Sequence, residues 1–132
     1  MARKSRIPAA VLELMAQGAR HAWTLEELQA DLAAHGTVTD FSSVFRAAGR
    51  LTAAGAVCRL LLEDGRTRFE LGGAHHDHLH CTHCDGLIPV PCVIGREACA
   101  TLEALTGAAV AEHSVILTGT CRSCRAAGGQ GQ

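Results

Sequence analysis

The chain has 132 residues; 48% are apolar but only four are aromatic (Trp23, Phe41, Phe45 and Phe69), so Leu, Val and Ala must fill its interior. A formal charge of −1 gives no global attraction to nucleic acid, and any basic surface must be local. No stretch approaches a membrane span, and Glu13 interrupts the first apolar run too early for a secretory leader, so a soluble cytoplasmic protein is expected.

Three short helices are legible first. Pro8 suits a first helical turn, Val11, Leu12, Leu14 and Met15 supply an apolar face, and Gly18 ends it. Thr24 followed by Glu27 reads as a capping box, with Leu25, Leu28 and Leu32 on one side and Gly36 as the stop. Residues 40–54 form the third helix, with Val44, Ala48 and Leu51 inward and Ser42, Phe45, Arg46 and Arg50 outward. A hairpin follows, with strands at 57–62 and 67–71 joined by a tight turn at Asp64-Gly65. Three helices and a hairpin are the order of a winged helix-turn-helix. Gly72-Gly73-Ala74 reads as a hinge; beyond it strands are expected at 78–81, 86–90 and 110–118, and a helix at 95–106. The tail, 126–132, has nothing to bury and is expected to be disordered.

Seven cysteines that include two CxxC pairs point, in a reducing compartment, to metal ligation rather than disulfides. Cys81, Cys84, Cys121 and Cys124 together offer a tetrahedral four-thiolate site, which zinc satisfies without redox chemistry. The intervening 36 residues leave room for a strand, a helix and a strand. Just upstream, His75, His76, Asp77, His78 and His80 form a dense donor run. In an extended segment His76, His78 and His80 share one face and His75 and Asp77 the other, so one strand can serve two ions. Glu70 can fold back toward the first face, and His113, in the last strand, can join the second. Mixed imidazole and carboxylate donors suit Fe²⁺, Mn²⁺ or Zn²⁺ without choosing among them.

These features together resemble the ferric uptake regulator superfamily of metal-responsive repressors, over about residues 6–125. The carriers are Ser43-Val44-Phe45-Arg46 with Leu51, Phe69-Glu70-Leu71, the run from His75 to Cys84, His113, and Gly119-Thr120-Cys121-Arg122-Ser123-Cys124. The resemblance implies an α+β chain. A winged-helix DNA-binding domain would occupy 1–71, a hinge 72–74, and a small α/β dimerisation domain with the Cys₄ zinc 75–125. It further implies a regulatory metal on His21, Glu70, His76 and His78, and an additional metal on His75, Asp77, Glu97 and His113. His21, Glu97 and the interval from Glu70 to His76 each depart from the family pattern by one residue, and Phe45 replaces a usual tyrosine. Zinc-sensing members often carry cysteine where this chain has Glu70, which favours Fe²⁺ or Mn²⁺ sensing. Cys92 nevertheless resembles a thiolate ligand of some zinc sensors, and is open between ligation and packing. Cys58 and Cys99 are expected to pack.

Ser43, Phe45, Arg46 and Arg50 are the expected DNA-binding residues, with Arg3, Lys4, Arg6, Arg66 and Arg68 as phosphate-positioning candidates. One such head binds weakly at physiological salt, so a homodimer on a palindromic operator is expected, with a metal bridging the domains and setting the spacing of the heads. Catalytic residues are not expected: no HExxH, phosphate loop or nucleophile elbow occurs. Two other readings remain, a zinc-uptake repressor of the same superfamily and a metal storage or delivery protein. The latter leaves the outward face of the third helix without a purpose.

Overall fold

The computed structural model describes residues 2–18 and 20–128, with the side chains of 2–5 also outside the described set. The chain divides into two compact units, Met1–Gly73 and Ala74–Gln132.

The first unit contains α1 (Ala2–Ala16), α2 (Leu25–Ala34), α3 (Phe41–Ala53), β1 (Val57–Leu61) and β2 (Thr67–Leu71). Helix α1 runs back past the expected start, so Pro8 lies inside it and leaves the carbonyl one turn earlier without its usual N–H. Helix α2 opens on the capping box: Thr24 Oγ1 accepts from Glu27 N at 3.1 Å, and Thr24 N donates to Glu27 Oε1 at 2.9 Å. Asp40 caps α3 by accepting from Ser43 N at 2.7 Å. The apolar periodicity of the three helices converges on one core that includes Val11, Leu14, Trp23, Leu28, Leu32, Val44, Leu51 and Phe69. Leu28 is fully buried there. Leu28→Ala is expected to cost about 2–5 kcal/mol of unfolding free energy, read from urea denaturation.

The hairpin pairs Val57 with Leu71 through to Leu61 with Thr67, antiparallel. Its tight turn contains Asp64-Gly65, as expected. Leu62 N donates to Arg66 O and Gly65 N to Leu62 O, which makes a three-residue loop closed by left-handed Gly65 (φ 80°). A two-residue type I′ turn would require positive φ at Asp64 too, and Asp64 does not adopt it. Trp23 and Phe69 exchange both backbone hydrogen bonds, at 2.9 and 2.7 Å, adding a bridge to the outer side of the hairpin. Gly72 N donates to Ala56 O, and a Cβ on Gly72 would come within 2.8 Å of Gly55 O. Only glycine permits this close approach.

The second unit contains β3 (Asp77–Cys81), β4 (Leu87–Val90), α4 (Arg96–Thr106), β5 (Ile116–Gly119) and α5 (Arg122–Ala126). Strand order is β4-β3-β5, so the histidine-rich strand is central. It runs antiparallel to β4 and parallel to β5, the latter reached through the α4 crossover. The last strand is shorter than expected and begins at Ile116, leaving His113 in the preceding loop. Helix α5 is absent from the sequence reading, as no apolar period announces five residues. The expected tail is partly occupied: Ala126 closes α5, and 129–132 lie outside the described residues. No helix among the described residues is long and apolar enough to cross a membrane.

Candidate metal centres and nucleic-acid interface

Helix α3 turns Val44, Ala47, Ala48 and Leu51 into the core, which fixes what its other side presents. Phe45 is 62% exposed, and Arg46 and Arg50 are exposed beside it. Arg46 donates to Ser43 Oγ at 3.4 Å. Ser43, Arg46 and Arg50 line an open cleft of about 580 Å³ together with Arg6. Phe45 borders a second hollow with Arg59 and Arg66 of the hairpin. Arg59 was missed in the sequence because strand position alone does not show which side of a two-stranded ribbon faces outward. Arg68 does not belong to this basic surface. It is 2% exposed and donates to Asp64 Oδ2 at 3.0 Å, an i,i+4 pairing that folds it against its own turn. The side chains of Arg3 and Lys4 lie outside the described residues.

The Trp23–Phe69 bridge also brings His21 to Glu70. His21 Nε2 lies 2.6 Å from Glu70 Oε1, and Glu70 is buried. The first unit thus offers a preformed imidazole–carboxylate pair beside the last residues of β2. In the second unit the His76 and His78 rings lie 4.6 Å apart, tilted by 60°. His76 Nδ1 is 3.0 Å from the Ala74 carbonyl, the contact that fixes a ligating imidazole's tautomer and ring orientation. His80 turns to Asp85 instead, at 2.6 Å.

The parallel register of β3 and β5 sets Cys81 against Gly119, which puts both CxxC turns at one end of the sheet. Asp85, with φ 65°, closes the first turn, and Cys121 caps α5 so that Cys124 comes round one turn later. The sulfurs of Cys81, Cys84, Cys121 and Cys124 all lie within 4.8 Å of one another, with Cys84 and Cys121 at 3.9 Å. A zinc–sulfur bond of about 2.3 Å gives a tetrahedron edge of about 3.8 Å, which the Cys84–Cys121 separation of 3.9 Å matches. The backbone N–H of Cys121 donates to Cys81 Sγ at 3.3 Å, and with the Cys84 N–H it lowers the Cys81 thiol to about 6. Its neighbours go the other way: hydrogen bonding to Cys121 and burial push Cys124 up to about 12, and Cys84 is also raised. One thiolate is ready, whereas Cys84 and Cys124 need a cation's charge to lose their protons.

His75, Asp77 and His113 come together as expected, but Cys92 is with them and Glu97 is not. Glu97 occupies the exposed first turn of α4. Cys58 is exposed rather than packed, since the outer face of the hairpin is solvated. Cys99 is half-buried.

An exposed helix and hairpin followed by a small sheet crowded with thiols and imidazoles are the arrangement of a metal-responsive transcription regulator. The model of the ferric uptake regulator family matches residues 3–118, and the chain belongs to that family. Its members are regulators of transcription and not enzymes. The ferric uptake regulation protein of Vibrio cholerae is 30% identical over 114 residues, covering 86% of this chain and 76% of its own. The iron-containing ferric uptake regulator of Francisella tularensis is similar in structure, with TM-score 0.77, 26% identity and coverage of 90% and 91%. A zinc uptake regulator from M. tuberculosis matches with TM-score 0.54, 25% identity and coverage of 94% and 96%.

Proposed function

We propose that this chain is a metal-dependent repressor of metal homeostasis genes that binds a palindromic operator as a homodimer. The observation that carries the reading is the buried Glu70 paired with His21 at 2.6 Å, on the strand that leads into the histidine run. His21 and Glu70 supply two donors from the DNA-binding unit, and His76 and His78 supply two from the other. An ion that takes all four restricts the linker at Gly72-Gly73 and so favours one placement of the reading helices. Its differential affinity for that placement is the coupling free energy. Three imidazoles and a carboxylate, without a thiolate, suit Fe²⁺ or Mn²⁺. Zinc in the four-thiol cluster is structural, and Ser43, Phe45, Arg46 and Arg50 read and grip the duplex.

Zinc sensing is the second reading, favoured by the Cys92 thiol lying 3.1 Å from His113 Nε2. Storage or delivery is less well supported, because Phe45, Arg46 and Arg50 then serve nothing.

To test the reading, a duplex is selected from a random library and its affinity measured with the structural zinc retained. Adding Fe²⁺ or Mn²⁺ anaerobically is expected to tighten binding by about 5–150-fold. His76→Ala/His78→Ala is expected to abolish the response while leaving the weak metal-free affinity intact. Equal affinities in all three states would remove the mechanism.

A further inference from the structure

The second unit gathers four donors of three chemical kinds: imidazoles on His75 and His113, a carboxylate on Asp77 and a thiol on Cys92. One ligating atom from each lies within 4.8 Å of all the others. The register explains why Cys92 arrives there. Val90, the last residue of β4, is the partner of Asp77 in β3, so the chain leaving β4 passes beside Asp77 and His75 two residues later. His113 comes from the loop before β5, whose Val115 N donates to Asp77 Oδ1 at 3.0 Å.

Two independent features point to a cation here. Asp77 is 1% exposed, and its Oδ2 has no hydrogen-bond partner among the described residues. A buried carboxylate oxygen left this way costs free energy unless a positive charge meets it. Cys92 Sγ also sits 3.1 Å from His113 Nε2, and the His75 and His113 rings meet edge to face at 4.7 Å. The thiol, the imidazoles and the Asp77 carboxylate thus share one small volume, with His75 Nε2 3.6 Å from Asp77 Oδ1.

We propose that Cys92, in place of the Glu97 carboxylate, is the fourth ligand of this site, and that the resulting thiolate, two imidazoles and carboxylate hold Zn²⁺. The thiolate is what selects the metal. A soft sulfur donor favours zinc over Mn²⁺ and Fe²⁺, whereas a glutamate there would leave a set that accepts all three. The chain then carries zinc in two chemically distinct places of one unit, one all-thiolate and closed, the other mixed and bordered by the exposed 91–95 loop. The assignment rests on the metal-binding reading of the chain but not on DNA binding.

Cobalt tests it in the full-length protein. With zinc held in the four-thiol cluster, Co²⁺ is titrated anaerobically into wild type, Cys92→Ala and Glu97→Gln. The proposed regulatory donors include no thiol, so a thiolate-to-cobalt charge-transfer band in the near ultraviolet reports a sulfur ligand in the mixed site. Wild type and Glu97→Gln are expected to show the band, and Cys92→Ala to lose it, with a fall in zinc affinity at that site of at least the roughly 10–100-fold that loss of a group merely supporting a ligand costs. Both Cys92 and Glu97 are exposed, so neither substitution disturbs a packed interior. A wild-type spectrum without the band, or loss of the band in Glu97→Gln but not in Cys92→Ala, would overturn the assignment. Operator affinity measured on the same samples separates this outcome from failure of the repressor reading.

Discussion

Replacing Cys81 by serine is expected to cost the second unit its fold. Among the described residues of that unit, the only buried member of the apolar class is Cys81 itself; the other buried residues are Asp77, His78 and His80. Helix α4 buries none of its residues. A unit with so little core cannot offset its chain entropy by apolar burial alone. The four-thiol cluster supplies what is missing, since a structural zinc site of this kind contributes an apparent free energy of about 10–16 kcal/mol at neutral pH. Serine offers a poor ligand at the position whose thiol the Cys121 and Cys84 N–H groups hold at about 6. Metal analysis should show loss of the tightly held zinc, and thermal melting under reducing conditions should lose the transition of the second unit. The transition of the first unit should persist, because its core is its own. A Cys81→Ser protein with full zinc and an unchanged melt would show that the cluster is not the clamp.

The second large effect concerns self-association. Leu105 is 77% exposed and Leu102 51% exposed on α4, and Leu117 on β5 is 47% exposed. Such side chains are normal on a surface singly, but a helix with no buried residue that still carries leucines has an unpartnered apolar side. A second copy of the chain is the occupant required by the proposed repressor. Leu105→Asp is therefore expected to shift the protein to monomer in sedimentation velocity. It should also weaken operator binding by about a hundredfold or more, because two half-sites no longer bind as one ligand. Metal content should not change. A Leu105→Asp protein that remains dimeric would place the seam elsewhere.

Much of this was legible in the sequence, and the reasons are local. Thr24 with Glu27, Asp40 and the apolar spacing in α2 and α3 specify their own helices, because caps and period act within a few residues. The paired CxxC turns disclose the thiol cluster for the same reason: two ligands three positions apart can share an ion only across a tight turn. Strand alternation correctly separates Asp77 from His78. What was not legible depended on tertiary register. The family resemblance implied Glu97 as the fourth donor, but the end of β4 delivers Cys92 beside Asp77, and Glu97 is not in the group. Arg68 looked like a phosphate contact until its pairing with Asp64 showed it turned inward. Pro8 was read as a first-turn residue, since a sequence rarely reveals that a helix starts earlier than its proline.

Strand β3 is held on both edges and alternates sides at every residue, so Asp77 and His78 serve different neighbourhoods. Inserting or deleting a single residue between them and Cys81 would exchange one neighbourhood for the other in every position beyond it. Substitutions there remove one donor at a time, whereas a change in length displaces every donor beyond it at once. The spacing of this short stretch is therefore under tighter constraint than any one of its side chains.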